Sequence, residues 1–316
     1  MLMLKKTIAA LSLLSILAAC QNDENPSQPE PKPRQDINLT RAEQEFMDKG
    51  TDFAFRFFDQ VCSTEKEKPN VFVSPLSASL CLSMITNGAT DNTLAEMQDV
   101  LGFPANTFSL DDLNNYNQKL TSALLDLDNT TQLGIANSIW IEEGFKVYDS
   151  FVDVNKKMYD AQVQELDFTS PTAKDVINQW CATQTNNCIK EVIQEIPADA
   201  RMYLINALYF KGIWKSQFDK SATGQDNFTN VDGSQQKVAM MNQTATFNYT
   251  QTDDFSIAEL PYGNEAFSMV ILLPSGDKTL DESLPSLNYE NWKQWSKNMV
   301  GKELQIKLPR FKVEYD

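Results

Sequence analysis

Apolar residues recur at helical spacing through the first half of the chain. Phe46, Phe53 and Phe57 lie seven and four positions apart, which is typical of one face of a helix. Just before them, Thr40 and Glu43 have the spacing of a capping box, so ordered structure is predicted to begin at Thr40. The same periodicity predicts further helices at residues 92–101, 110–127, 149–160 and 172–194.

A second helix start lies at Ser74, where a short apolar run ends. Serine at the N-cap with proline at the first helical position is a strong helix start, and Pro75 follows Ser74 directly. Leu80 and Met84 then share one face, and Gly88 is expected to end the helix.

The pattern changes to that of strands further along the chain. Strands are predicted at 133–141, 202–210, 267–273 and 303–315. The run 202–210 is almost continuously apolar, which predicts a strand covered on both faces in the middle of a sheet. A helix holding Trp292 and Trp295 interrupts the later strands. Because helices cluster early and strands late, the predicted fold class is α+β.

Composition and charge narrow the possible functions. Of the 316 residues, 42% are hydrophobic and 22% are charged, as in ordinary globular proteins with a full core. The formal net charge of -16 repels phosphate backbones, so no nucleic acid is expected as a partner.

The chain contains no histidine. It therefore cannot form a Ser-His-Asp triad or a Cys-His pair, and it lacks the commonest zinc ligand. We expect no metal, no other cofactor and no enzymatic activity. An enzyme that uses Lys, Glu or Tyr as acid or base stays open as a third hypothesis.

The first residues have the pattern of an export signal. Lys5 and Lys6 precede the apolar run 8–17, which is too short to span a bilayer as a mature helix. The run leads into L-A-A-C, ending at Cys20, which resembles a bacterial lipobox. This resemblance predicts a signal peptide over residues 1–19 and acylation of the Cys20 thiol. An ordinary secretory signal is the alternative.

Residues 20–39 are predicted to form an acidic, proline-rich tether. The acidic cluster after Cys20 resembles the surface-export signals of some Gram-negative lipoproteins. The expected location is therefore the cell envelope, with a lipid anchor in the outer membrane and the folded part either periplasmic or exposed at the surface.

Four cysteines remain beyond the lipobox: Cys62, Cys81, Cys181 and Cys188. On one continuous helix over 172–194, the Cα atoms of Cys181 and Cys188 would be about 10.5 Å apart, too far for a disulfide. The four thiols are therefore predicted to be small buried apolar side chains rather than disulfide or metal ligands.

Several segments share their order and spacing with one known family. Residues 70–77 read N-V-F-V-S-P-L-S, residues 206–214 read N-A-L-Y-F-K-G-I-W, and residues 308–311 read L-P-R-F. In this order they resemble the serpin family over residues 40–316. The resemblance implies the serpin fold, so that 40–316 would form a serpin domain after the signal peptide and the tether.

The resemblance also implies a function, that of a serine-type endopeptidase inhibitor acting as a suicide substrate. A serpin offers a protease an exposed loop, which inserts as an extra strand into the main sheet before the acyl-enzyme can hydrolyse. The target would be a serine protease or a papain-like cysteine protease. The inhibitor is expected to be a monomer.

Four residues fall at positions that the family uses to control sheet opening. Ser74, Ser77 and Asn206 match the shutter under the middle of the sheet, and Trp214 matches the breach where insertion begins. The alternative for each is a capping or core residue that any stable fold would need. The family's shutter histidine has no counterpart here, and Asn187 stands where the family often has glycine.

By the same resemblance, a reactive loop with its scissile bond and the last strands would follow the final residue, Asp316. We therefore expect a chain truncated before the reactive loop, which folds poorly alone or aggregates. Cooperative unfolding of a soluble 20–316 monomer would contradict this expectation. Two alternatives to an inhibitor stay open: a non-inhibitory serpin-fold binding lipoprotein, and a non-functional truncated fragment.

Overall fold

The computed structural model of the chain describes residues 30–68, 70–103, 107–230 and 232–313. The predicted signal peptide and the lipid attachment at Cys20 lie outside these residues. The α-helices of the described part are α1 (Arg41–Thr64), α2 (Pro75–Thr86), α3 (Asp91–Leu101), α4 (Leu110–Asp126), α5 (Asp149–Tyr159), α6 (Ala173–Gln184), α7 (Leu280–Ser283) and α8 (Tyr289–Lys297). None of these helices is long and apolar enough to cross a membrane.

The strands of the described part form two sheets. They are β1 (Gln132–Glu142), β2 (Gln162–Leu166), β3 (Met202–Lys211), β4 (Gly224–Thr229), β5 (Gln235–Gln251), β6 (Phe255–Pro261), β7 (Ser268–Pro274) and β8 (Val300–Pro309). The three-stranded sheet has the order β2-β1-β3, with β1 parallel to β2 and antiparallel to β3. In the antiparallel five-stranded sheet, β5 pairs with β4, β6 and β8, and β7 pairs with β6. The predicted α+β architecture is confirmed.

The predicted starts of α1 and α2 are confirmed by their caps. The Thr40 side chain accepts from the Glu43 amide, and the Glu43 carboxylate accepts from the Thr40 amide at 2.7 Å. Ser74 caps α2 with Pro75 at the first helical position, and the helix ends at Thr86, close to the predicted Gly88.

The predicted helix over 172–194 is too long. Helix α6 ends at Gln184, because the next residues close it with left-handed backbone and side-chain bonds. Asn186 and Asn187 have φ angles of 49° and 61°, and the Asn187 amide donates to the carbonyl of Ala182 at 2.7 Å. The Thr185 hydroxyl donates to the Cys181 carbonyl and accepts from the Ile189 amide.

Strand β3 is covered on both faces, as predicted, but it lies at the edge of its sheet in the described part. Met202 and Leu204 pack with α2 and α5 on one face, and Ile205 packs with α6 on the other. Alternation along the strand directs successive side chains to opposite faces, which explains the continuous apolar run. The predicted central position is wrong for these residues because only β1 pairs with β3.

The later strands have features of their own. Strand β5 is one continuous strand of 17 residues. Strand β7 contains most of the predicted strand 267–273; it is half-buried along its length, and Leu273 is 63% exposed. Strand β8 ends at Pro309, earlier than predicted among the described residues, although the Arg310 amide still donates to the Ala239 carbonyl at 2.9 Å.

The cysteines agree with the prediction only in part. None of the four described thiols forms a disulfide, and Cys181 is buried, but Cys188 is exposed. Cys188 lies beyond the end of α6, where the closing turn carries it out of the helix and away from the sheet.

Candidate functional site

Ser74 and Ser77 bind each other at the start of α2. The Ser74 hydroxyl accepts from the Ser77 amide at 3.3 Å and from the Ser77 hydroxyl at 2.9 Å. The same α2 helix contacts β3 through Cys81, whose Sγ lies 4.0 Å from the Leu204 carbonyl oxygen. The serine pair therefore fixes the entry of the helix that lies under β3, without a direct hydrogen bond to Asn206.

Asn206 lies on β3 directly opposite Asn137 of β1. Its Nδ2 donates to Asn137 Oδ1 at 2.8 Å, while its own Oδ1 is buried and has no partner among the described residues. Asn137 in turn donates from Nδ2 to the Tyr159 carbonyl at 2.7 Å. A buried amide oxygen without a partner is costly and rare in a finished protein interior.

The hydrogen bonds continue from Tyr159 into the helices below the sheet. The Tyr159 hydroxyl donates to Asn114 Oδ1 at 2.7 Å and accepts from Asn117 Nδ2 at 3.3 Å. Asn114 and Asn87 exchange two side-chain bonds of 2.8 and 3.0 Å. Burial raises the pKa of Tyr159 to about 12, so the hydroxyl stays protonated and able to donate at neutral pH.

We call these residues, Asn87, Asn114, Asn117, Asn137, Tyr159 and Asn206, the amide network. It joins α2, α4 and the end of α5 to the two antiparallel strands of the three-stranded sheet. Sequence reasoning found Asn206 alone. The signal that it missed was Asn137, a polar residue inside the otherwise apolar run 133–141.

Trp214 lies away from the amide network, just past the end of β3. Its ring stacks on Tyr262 with the centroids 4.4 Å apart and the planes at 18°, and Phe218 meets it edge-on at 6.0 Å. A Cβ atom on Gly212 would come within 2.7 Å of the Tyr262 ring, so only glycine lets β3 leave the sheet this close to that stack. The structure therefore brings Trp214 together with the β6–β7 turn and not with Ser74, Ser77 or Asn206.

A buried carboxylate, also missed from the sequence, joins the same turn to the α4–β1 connection. Asp128 is 4% exposed and accepts from Thr130 and Thr131, and more weakly from the Asn264 amide at 3.4 Å. Burial opposes ionisation, but these hydrogen bonds prevail and lower the pKa of the Asp128 carboxyl below its usual value. A Cβ on Gly263 would lie 2.1 Å from Asp128 Oδ2, so the turn needs glycine there.

Helix α6 covers the other face of the three-stranded sheet. Asn178 accepts from the amides of Val192 and Ile193 and donates to the Ile193 carbonyl, which holds the returning chain against the helix. Trp180 donates from Nε1 to Gln162 on β2 at 3.1 Å. Asn178 and Trp180 therefore fix the position of helix α6 on the three-stranded sheet.

The contacts described above hold the strands and their covering helices in place, and two of the described thiols are kept unreactive by their surroundings. Burial raises the pKa of the Cys81 and Cys181 thiols to about 11, which keeps both protonated and unreactive. No cluster of acidic and cysteine side chains that could hold a metal ion occurs in the described ranges.

Comparison with known proteins gives one family throughout. The family whose sequence pattern matches residues 48–316 is described as Serpin (serine protease inhibitor). An uncharacterized serpin-like protein of Methanosarcina acetivorans is 33% identical over 269 residues, which cover 83% of this chain and 62% of that protein. Serpin B3 of Homo sapiens is 31% identical, covering 84% of this chain and 72% of that protein.

The solved structures agree. The native state of tengpin, a thermophilic serpin, superposes with a TM-score of 0.79 at 30% identity, covering 91% of this chain and 71% of tengpin. The chain thus spans between 62% and 72% of the length of these relatives.

Proposed function

The chain belongs to the serpin family, and from that premise we propose that the protein is a serine-type endopeptidase inhibitor of the bacterial cell envelope. It acts as a suicide substrate rather than as an enzyme. The serine oxygen of the target protease attacks the scissile carbonyl of a reactive loop, the peptide bond breaks, and the new amino terminus leaves with the proton. Insertion of the loop into the sheet then prevents water from completing the cycle.

The observation that carries this proposal is the match of residues 48–316 to the serpin family. In the described part of the chain the outer edge of β3 has no neighbouring strand, and the Oδ1 of Asn206 beside it has no partner. A strand added there would gain ladder hydrogen bonds and could offer the Asn206 oxygen a donor. The free energy released by adding that strand drives the distortion of the protease.

We assign the control of sheet opening to two separate places. Asn206, through Asn137, ties β3 to β1, and the Ser74–Ser77 pair fixes the helix beneath them. Trp214 holds the end of β3 through its stack on Tyr262. Weakening either the hydrogen bonds of Asn206 or the ring stack of Trp214 should make loop insertion faster, because both interactions must break when β1 and β3 move over the helices.

The reactive loop is proposed to lie in the part of the relatives' length that this chain does not span. The target is a serine protease, or a papain-like cysteine protease that forms the equivalent thioester. We further propose that the protein is a monomer, attached by a lipid on Cys20 to the outer membrane and facing the periplasm or the cell surface.

The test starts from the native protein in membranes of the source cells. Mass spectrometry should find peptides that continue past residue 316, and metabolic labelling with a fatty acid should mark Cys20. The purified protein should then form a covalent, detergent-resistant complex with a serine protease of matching specificity. Rapid cleavage of the loop with full release of active protease would overturn the inhibitory function.

A binding role without inhibition is the second candidate. It is favoured by an apolar groove of about 310 Å³ between α1 and the segment before α2, lined by Ala54, Phe55, Phe58, Val71, Phe72, Val73 and Pro75. Phe72 is 68% exposed there, and such a groove suits an apolar ligand. Saturable binding of a fluorescent apolar probe to the full protein, together with no protease complex, would favour this candidate over the first.

A further inference from the structure

The residues before α1 form a strap that runs beside the second half of α4. We define the strap as residues 30–39. At one end, Leu39 packs on the apolar cluster of α1, where Glu43 pairs with Lys119 of α4 at 2.7 Å. At the other end, Lys32 pairs with Asp126, seven residues further along α4, at 3.0 Å. The strap therefore crosses about two turns of that helix.

Asn129 recognises the backbone of the strap at its far end. Its Oδ1 accepts from the Lys32 amide at 2.8 Å, and its Nδ2 donates to the Glu30 carbonyl at 2.9 Å. One side-chain amide thus satisfies a donor and an acceptor two residues apart, as a neighbouring strand would. Pro31 and Pro33 restrict the backbone on both sides of Lys32, which lowers the entropy lost when the strap docks.

Asn129, on which the strap docks, is itself held in place by the hydrogen bonds of its neighbours. Asn129 follows Asp128, the buried carboxylate that bonds to its own loop and to the β6–β7 turn. That turn is bonded to the end of β3, since the Gly263 amide donates to the Ile213 carbonyl at 2.8 Å. A residue docked on Asn129 is therefore fixed relative to the end of the sheet at which Trp214 lies.

We propose that the strap holds the Trp214 end of the three-stranded sheet towards the lipid surface, an orientation that rests on the lipid anchor at Cys20 proposed above. Ten peptide steps separate Cys20 from Glu30, and a chain spans at most about 3.6 Å per step, so the docking point lies within about 35 Å of the anchor. Without docking, nineteen steps would separate Cys20 from Leu39, and the reach would grow to almost 70 Å.

The opposite end of the sheet is far enough away for the two ends to be distinguished. Strand β1 begins at Gln132 beside the docking point and ends at Glu142. Ten steps of about 3.4 Å place these ends roughly 34 Å apart. Because docking ties the Gln132 end and not the Glu142 end to the short tether, we expect the Gln132 end to lie nearer the lipid surface on average.

The first experiment tests docking without the need for a lipid. Trypsin cleaves after Arg34 within the strap, and the Lys32–Pro33 bond resists it, so cleavage at Arg34 reports release of the strap. In the full folded protein, Asn129→Ala should speed this cleavage about threefold or more, because local release controls access. Asn115→Ala is the matched control, since Asn115 is an exposed asparagine of α4. Equal rates for the two variants and the unaltered protein would overturn docking.

The second experiment measures orientation on vesicles with an energy acceptor on the lipid headgroups. Donor dyes are placed by Gln132→Cys or Glu143→Cys, with the exposed Cys188 and the half-buried Cys62 changed to serine. Lipidated protein should transfer at least about twice as efficiently from position 132 as from 143, given the reach above. Asn129→Ala should bring the two efficiencies together.

Equal transfer from the two positions in lipidated protein would overturn the orientation even when docking holds. Absence of any fatty acid on Cys20 would overturn the orientation together with the proposed anchor. The trypsin result needs neither lipid nor membrane, so failure of docking and failure of the anchor remain distinguishable.

Discussion

The two sheets of the molecule differ in how many buried polar side chains lie on and around them. Of the thirteen buried polar or charged residues in the described part, eleven lie between Ser83 and Thr185, around the three-stranded sheet and its helices. The buried residues on the strands of the five-stranded sheet are all apolar: Met240, Phe247, Phe255, Ile257, Ala258 and Leu260.

This difference matters because apolar contacts and hydrogen bonds respond differently to movement. Apolar packing is non-directional and favours one dense arrangement, whereas a hydrogen-bonded network holds one register and can exchange its partners. The five-stranded sheet is thus built to stay in place. In the three-stranded sheet, the amide network below the strands fixes the register of β3 on β1.

The largest effect is expected from removing a ring in the apolar sheet. Phe247 is 3% exposed among Ala258, Leu260 and Trp214, and Phe247→Ala should lower the free energy of unfolding by about 3–5 kcal/mol. Phe228→Ala is the control, since Phe228 is 39% exposed on β4 of the same sheet. Urea unfolding of the complete protein measures both. Equal losses for the two variants would mean that this sheet does not depend on dense packing.

An alkaline titration should next report on the apolar helical cluster that packs outside both sheets. Burial, together with the negative charges of Glu43 and Asp48, raises the pKa of Tyr116 in the helical region to about 12. Because the folded pKa lies above the ordinary value of about 10, this stabilisation is complete below pH 10 and is lost as the pH rises through 12. The unaltered protein should therefore lose about 2 kcal/mol more than Tyr116→Phe between pH 10 and 12. Tyr148→Phe, at an 84% exposed site, is the control. Parallel pH curves for the unaltered protein and Tyr116→Phe would contradict the expected contribution.

The amide network should respond to loss of its central member. Asn137→Ala leaves Asn206 Nδ2 and the Tyr159 carbonyl without their partner, which should cost about 1–3 kcal/mol of unfolding free energy. Asn248→Ala on the five-stranded sheet is the control, because Asn248 is exposed and bonds only Glu259 in the described residues. Hydrogen exchange on β3 should rise in Asn137→Ala alone. Unchanged exchange there would show that the network does not hold β3.

The smallest effect is expected at the surface. Lys307 of β8 pairs with Asp226 of β4 at 2.9 Å, and both side chains are about half exposed to solvent. Solvent and salt screen such a pair, so Lys307→Ala should leave the urea midpoint within experimental error. A clear shift of the midpoint that disappears at high salt would show that this pair contributes to joining β4 and β8 across β5.

The sequence predicted helix starts correctly where they depend on a few neighbouring residues. The capping box at Thr40 and the Ser74-Pro75 start are confirmed because a cap is decided by neighbours in the chain. The prediction for 172–194 was wrong because two successive asparagines adopted the left-handed backbone, which periodicity of apolar residues does not report. The pattern of apolar residues also does not report which strands pair with each other. Strand β3 was therefore expected inside its sheet, whereas it lies at the edge of the sheet in the described residues.

By itself, the sequence determined the α+β class, the helix starts and the candidate residues Ser74, Ser77, Asn206 and Trp214, since these depend on periodicity, capping and motif order. Only the tertiary structure decided that Asn206 faces Asn137, that Trp214 stacks on Tyr262, and that Asp128 binds a turn more than one hundred residues away. Such contacts form between segments that are distant along the chain, and the side chains that meet there are chosen by packing of the whole fold rather than by their neighbours in sequence.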